Sequence, residues 1–110
     1  MDKESVDFCE KNRTLIARIS CEIDHHLAKG LRERIDRELF MAKPDTLVLD
    51  FSGVGFMDSS ALALIIGRAQ TALALSCDVK LAGLSLSGRK LVYLSGVDKL
   101  ENVKLLDGEY

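Results

Sequence analysis

Two serines and an aspartate, Asp58, Ser59 and Ser60, stand together in the middle of the chain. A serine hydroxyl can serve as a nucleophile when a base lies within reach, and a carboxylate can act as a general acid or base. The histidines lie far away in the sequence, and no G-x-S-x-G elbow surrounds these serines. The residues therefore favour a capped helix N-terminus over a hydrolase site.

The other residues that could support chemistry are few and dispersed. Asp24 and Asp58 could meet at one edge of a sheet, although such residues are more often helix caps than catalysts. His25 and His26 are accompanied by no further ligands at metal-binding spacing. The S-G-V-G segment at 52–55 lacks the third glycine of a phosphate-binding loop. We expect no catalytic residue, no metal and no cofactor.

Composition predicts an ordinary globular protein. The 110 residues are sufficient for one domain, 1–110, and 47% of them are hydrophobic and 29% charged. A net charge of -2 gives no reason to expect nucleic acid as a partner. No apolar run approaches a membrane span and no signal-peptide core is present, so we expect a cytoplasmic protein without a membrane partner. Cys9, Cys21 and Cys77 form no C-x-x-C pair, which is typical of reduced, buried thiols.

The hydrophobic pattern predicts alternating strands and helices. A buried strand at 47–49 leads through a glycine-containing loop into a helix near Ser60, and an earlier helix is capped by Asp24 and buries a stripe of every fourth residue. The remaining predicted elements are strands at 6–10, 14–19, 78–84 and 103–106, and a helix at 88–94 that is capped by Ser87 and turns Leu91 and Leu94 inward. This order predicts an α/β fold with a mixed, mostly parallel sheet of four to five strands, an antiparallel edge and packed helices.

The helix after Ser60 is predicted to have two faces of different character. The stripe expected to face the core contains Leu62, Ile65, Ile66, Ala69 and Leu73. The opposite side contains Ser60, Ala63, Leu64, Gly67 and Thr71, with Arg68 at its edge. This small, apolar side either lies under another element of the same domain or forms a docking surface for a partner protein.

Two sequence segments resemble the STAS domain of anti-sigma factor antagonists. They are C-E-I-D-H-H at 21–26, similar to the family's E-[LI]-D before its first helix, and F-M-D-S-S-A-L at 56–62, similar to its D-S-S loop. L-S-G-V at 94–97 resembles the family's closing element, so the resemblance covers nearly the whole chain. Cys21 and Ala61 stand where the family often has glycine, and neither change removes a chemical group.

The resemblance implies a non-enzymatic, partner-switching function. The unmodified protein would bind an anti-sigma factor that is also a serine kinase, and would thereby release a sigma factor for transcription. The kinase would use ATP to phosphorylate Ser60, the phosphoprotein would dissociate, and a serine phosphatase would reset it. The expected neighbours of the phosphorylated serine and partner-binding residues are Asp24, His25, Asp58, Ser59, Leu64 and Gly67.

The physical chemistry of Ser60 agrees with such a switch. A phosphate would add a charge of about −1.5 to −2 at a helix N-terminus, which tolerates it, while Ser59 with Asp58 is expected to cap the helix. A docked partner would have to desolvate that charge, so binding should be lost without refolding. The alternative is a STAS-like scaffold, sensory or small-ligand-binding module that does not act on a sigma factor.

Overall fold

The computed structural model describes residues 5–106, which form a five-stranded sheet and three α-helices. The strands are β1 (Val6–Lys11), β2 (Thr14–Ile19), β3 (Thr46–Asp50), β4 (Asp78–Ala82) and β5 (Val103–Leu105), and the helices are α1 (His25–Ala42), α2 (Ser59–Ala74) and α3 (Leu86–Ser95), with a 3-10 turn at Val97–Lys99. The strand order is β1-β2-β3-β4-β5, with β1 antiparallel to β2 and the other neighbours parallel. The predicted α/β fold is confirmed. Residues 1–4 and 107–110 of the predicted domain lie outside this description.

The β1–β2 hairpin turns at Asn12 and Arg13, whose φ angles of 52° and 61° are both positive, as a type I′ turn requires. A turn one residue earlier, which the sequence pattern suggests, would pair Phe8 with Leu15. The observed partner of Phe8 is Ala17. This difference of two residues in register does not change which side chains of the hairpin share a face, because side chains in a strand alternate with a period of two.

Helices α1 and α2 lie side by side and begin at the same edge of the sheet. Each connects two neighbouring parallel strands, so both run against the strand direction and parallel to one another, and they pack together. Asp24 Oδ1 accepts a hydrogen bond from Leu27 N at 2.8 Å and caps α1 as predicted. Of the predicted α1 stripe, Leu31, Ile35 and Leu39 are fully buried as predicted, and Leu27 is half-buried.

Helix α2 is rotated by about a quarter turn from its predicted phase. Ile65 is buried as predicted, but Leu62 is only half-buried, and Ile66 and Leu73 are 37% and 46% exposed. Leu64, which the sequence places on the outer side, is 3% exposed and belongs to the core. The prediction that Leu64 is an exposed contact residue is therefore wrong.

Arg68 explains the rotation. An arginine on an otherwise apolar helix suggests the solvent edge, yet Arg68 is 4% exposed and its Nε lies 2.7 Å from Asp36 Oδ1 on α1. The guanidinium and the carboxylate therefore form a close ion pair between the two helices. Helix α2 thus buries a wide arc against both the sheet and α1. The buried residues of this arc are Ala61, Leu64, Ile65, Arg68, Ala69 and Ala72.

Helix α3 also differs in detail from its prediction. Its N-cap is Ser85 and not Ser87: Ser85 Oγ accepts a hydrogen bond from the backbone N–H three residues later at 3.1 Å. Val92 is buried, whereas Leu94 is 87% exposed and does not face inward. Gly96, with a φ of 81°, ends the helix. Strands β4 and β5 end slightly earlier than predicted.

The rotation of α2 predicts different losses of stability for the same substitution at two nearby aliphatic residues, Leu64 and Ile66. Leu64→Glu should lower the free energy of unfolding by roughly 3 kcal/mol or more, because it places an unpaired charge in the core. Ile66→Glu, the matched change on the exposed side, should cost about 1 kcal/mol or less. Urea denaturation followed by circular dichroism measures both, and equal losses would contradict the observed phase.

Candidate functional site

The loop between β3 and α2 is held against the sheet edge at its start. Phe51 is buried, and its N–H donates to Ala82 O at 2.8 Å. Asp50 Oδ1 accepts a hydrogen bond from Ser52 N at 2.9 Å. Gly83 packs on this turn with a φ of +69°, and a Cβ there would lie 2.6 Å from Ser52 N. Only glycine suits this position, because both the backbone conformation and the space exclude a side chain.

A carboxylate from the β2–α1 loop holds the second half of the same loop. Glu22 Oε1 accepts a hydrogen bond from Gly55 N and Glu22 Oε2 accepts one from Phe56 N, each at 3.1 Å. A Cβ on Gly55 would lie 2.9 Å from Glu22 Oε1, so a larger residue would displace the carboxylate. Glu22 therefore joins the segments that precede α1 and α2 into one unit, which we call the Glu22 clamp.

The two serines of the D-S-S segment occupy different environments. Asp58 is the N-cap of α2, and its Oδ1 accepts a hydrogen bond from Ser60 N at 2.9 Å. Ser59 is the first residue of the helix and is exposed, so it does not take the place in the cap that the sequence suggests. Ser60 is half-buried. Its backbone is fixed by the Asp58 cap, and its side chain lies at a groove between the helices.

This α1–α2 groove has a volume of about 510 Å³. Its α1 wall contains His25, His26, Ala28, Lys29 and Arg32, and its α2 wall contains Ser60, Ala63, Leu64 and Arg68. The α1 wall comes from the first turns of its helix and includes two basic residues and two histidines. Ser60 therefore faces a groove whose opposite wall is rich in basic side chains.

The charged side chains that line the groove, Lys29, Arg32 and Arg68, are all cationic. Lys29 and Arg32 are exposed, whereas the cation on the α2 side, Arg68, is buried beside Asp36. Burial lowers the pKa of Arg68 from its usual value, attraction by Asp36 opposes that change, and repulsion from Arg32 adds to it. Arg68 remains cationic at neutral pH because the arginine pKa starts far above it. Asp36 compensates for only one of the cations in this region.

The predicted site residues come together only in part. Asp24, His25, Asp58 and Ser60 lie at the end of the groove where both helices begin. Gly67 lies two turns further along α2, and a Cβ built on it meets nothing within 4 Å. The four residues at the helix starts can therefore act on one ligand or partner, while Gly67 belongs to the adjoining open surface.

Sequence reasoning missed Glu22, Lys29 and Arg32. Lys29 and Arg32 follow His25 by four and seven residues, a spacing that places the three on one face of a helix. That spacing is a usable signal, but it does not say which element the face meets. Glu22 is adjacent to the predicted cap Asp24, and nothing local indicates that its carboxylate reaches a distant loop.

Thiol and metal chemistry find little support within residues 5–106. Burial raises the pKa of the Cys77 thiol to about 11, and its Sγ donates to Asp78 O at 3.4 Å, so this thiol is a poor nucleophile. Cys9 is exposed, contrary to the expectation of buried thiols. The described residues contain no cluster of three potential metal ligands. In the same range, no helix has the length and apolar character needed to cross a membrane.

Comparison with known proteins supports the resemblance seen in the sequence. Residues 5–106 match the family model of the STAS domain. The chain is 31% identical, over 84 residues, to the anti-sigma F factor antagonist of Lysinibacillus sphaericus, and the aligned region covers 76% of this chain and 72% of that protein.

Solved structures of one relative share the fold. The unphosphorylated form of the anti-sigma factor antagonist SpoIIAA matches with a TM-score of 0.73 and 25% identity, covering 94% of this chain and 89% of that chain. The phosphorylated form of the Bacillus cell fate determinant SpoIIAA matches with a TM-score of 0.70 and 25% identity, covering 92% and 90%. The chain therefore belongs to the STAS-domain family of anti-sigma factor antagonists, which are binding proteins and not enzymes.

Proposed function

We propose that this chain is an anti-sigma factor antagonist whose binding is switched off by phosphorylation of Ser60. In the unmodified form it binds an anti-sigma factor that is also a serine kinase, and so releases a sigma factor for transcription. A serine phosphatase returns the phosphorylated form to the binding state. The exchange takes place in the cytoplasm, and this chain itself contacts neither nucleic acid nor membrane.

The observation that carries the proposal is the likeness to both states of one relative. SpoIIAA in its unphosphorylated and phosphorylated forms matches this chain with TM-scores of 0.73 and 0.70. This supports a switch that leaves the fold unchanged. The position of Ser60 gives the physical reason, because backbone N–H groups at a helix N-terminus favour a nearby anion.

The modification itself is a phosphoryl transfer. Ser60 Oγ attacks the γ-phosphorus of ATP, and the new O–P bond forms as the bond from that phosphorus to the β,γ-bridging oxygen breaks. ADP leaves, and the hydroxyl proton passes to a base of the kinase. The phosphatase removes the group with water and releases inorganic phosphate. This chain needs to supply only an accessible, well-positioned hydroxyl.

The surface next to Ser60 suits a protein contact that a phosphate would disrupt. Ala63 is exposed on the α2 side of the groove, and Ile66 is exposed beyond it. The loop that precedes α2 exposes Phe56 by 65%. A partner seated on these apolar groups would have to remove water from a phosphate dianion on Ser60, and an unpaired charge is costly to desolvate. Leu64, which is buried, has no direct part in this contact surface.

Affinity for the anti-sigma factor should fall as the negative charge at position 60 increases. Ser60→Ala should fold normally and bind the partner at least as tightly as the unmodified protein. Ser60→Asp should also fold, because a carboxylate at a helix N-terminus contributes about 0.3–1 kcal/mol of stability. It should bind more weakly, and the phosphoprotein should bind weakest, by roughly 100-fold or about 2.7 kcal/mol relative to the unmodified protein. Isothermal titration calorimetry with the purified anti-sigma factor measures the series.

Ser59→Ala is the matched control for the site of modification. It should still accept one phosphate from the kinase and ATP, whereas Ser60→Ala should accept none, as read by intact-protein mass spectrometry. If Ser60→Asp bound the anti-sigma factor as tightly as Ser60→Ala, charge at this position would not be the switch. In that case the scaffold or small-ligand alternative would be preferred.

The Glu22 clamp should determine how well the acceptor loop is ordered. In Glu22→Gln only one carboxamide atom can accept a hydrogen bond, so the Gly55 and Phe56 amides should exchange with solvent roughly tenfold faster or more. Glu101→Gln, a change at an exposed position away from the loop, should leave their exchange unaltered. Hydrogen exchange followed by NMR measures both amides. Unchanged exchange in Glu22→Gln would show that the loop is ordered without the clamp.

A further inference from the structure

The ion pair between α1 and α2 shows which residues of these two parallel helices lie at the same height along their axes. Asp36 and Arg68 lie 2.7 Å apart across these parallel helices. Two helical turns are about seven residues. Counted towards the N-terminus, they lead from Asp36 to Lys29 on α1 and from Arg68 to the residue following Ser60 on α2. Lys29 and Ser60 both line the α1–α2 groove. They therefore stand opposite each other across it.

The cations on the α1 wall are not neutralised by other side chains. Within the described part of the chain, neither Lys29 nor Arg32 forms an ion pair, and Asp36 is already paired across the helices. The carboxylates nearest the start of the groove, Asp24 and Asp58, each accept a hydrogen bond from a backbone N–H of their own helix. Lys29 and Arg32, which are in no ion pair among the described residues, are thus available to an anion at position 60.

The geometry points to the α1–α2 groove as the receptor of the phosphoryl group on Ser60, with Lys29 as its main cationic partner and Arg32 as the second. The inference rests on the proposed function, because it takes Ser60 as the phosphorylated residue. Lysine and arginine are the side chains that bind phosphate most strongly. His25 and His26 line the same groove and can donate ring N–H hydrogen bonds to a phosphoryl oxygen.

A phosphoryl group held in this groove has a fixed place on the partner-facing surface. A freely rotating phosphoserine could turn aside as a partner approached, whereas one bound by Lys29 keeps its charge at the contact. Lys29 and Arg32 are exposed, so the attraction is modest and weakens as salt is added. It should nevertheless favour the phosphate dianion over the monoanion, which lowers the second pKa of the phosphoserine.

The test uses the full chain with phosphoserine incorporated genetically at position 60, so that no kinase is needed. Titration of the ³¹P NMR shift gives the second pKa of the phosphoserine, which is about 6 when unperturbed. Lys29→Gln should raise this pKa by about 0.5–1 unit relative to the otherwise unchanged phosphoprotein, since a nearby positive charge is removed. Arg32→Gln should raise the pKa of the phosphoserine less. The control is Lys90→Gln, the same change at an exposed position of α3, which should leave this pKa unchanged.

A pKa in Lys29→Gln equal to that in Lys90→Gln would overturn the inference, because the phosphate would then lie outside the groove. The same sample separates this result from a failure of the proposed function. If the phosphoprotein bound the anti-sigma factor as tightly as the unmodified protein, the switch would be wrong, while the difference in pKa would still report where the phosphate lies.

Discussion

The parallel direction of three neighbouring strands is the constraint on which the site depends. Because β2, β3 and β4 run the same way, the helices that connect them must both begin at the carboxyl edge of the sheet. The caps of these helices, Asp24 and Asp58, therefore arrive at one edge from distant parts of the chain. Glu22 then ties the two preceding loops together through the Gly55 and Phe56 amides. Ser60, the proposed phosphorylation site, therefore sits on a supported helix start and not on a free loop.

The rotation of α2 about its own axis decides what this edge presents to a partner. Buried ion pairs contribute little net stability, but removal of one partner leaves an uncompensated charge in the interior. Arg68 is therefore held beside Asp36, and this ion pair fixes the rotation together with the apolar residues of the buried arc. With α2 in that orientation, Leu64 is buried, Ile66 is exposed and Ser60 opens onto the groove. The buried arc of α2, which includes Arg68, thus determines which face of the helix remains exposed.

The elements that can be predicted well from the sequence are those whose polar and apolar faces differ strongly. Helix α1 has charged and apolar faces that differ sharply, so its cap at Asp24 and its stripe follow directly from the pattern. Helix α2 is apolar almost all round, and its periodicity is weak. Its single charged residue, Arg68, is then the main guide to phase, and burial beside α1 makes that guide misleading.

Other features depend on contacts between elements and have no local signal. Ser85 and Ser87 are both suitable caps for α3, and only the observed hydrogen bond from Gly88 N identifies Ser85. The role of Glu22 depends on the approach of two loops, and that of Lys29 depends on how α1 packs on α2. The D-S-S motif points from the sequence to Ser60 as the proposed phosphorylation site, whereas the basic side chains opposite it are apparent only in the folded chain.

The central claim is that phosphorylation of Ser60 changes the surface and leaves the fold intact. A comparison of ¹H–¹⁵N correlation spectra of the unmodified and phosphoserine-60 proteins tests it most directly. Shift changes should be confined to the first turns of α1 and α2 and to the loop before α2, with the amides of Leu49 and Leu81 in the central strands unmoved. Shift changes that spread across the sheet would show that the phosphate refolds or repacks the domain, and would contradict the account.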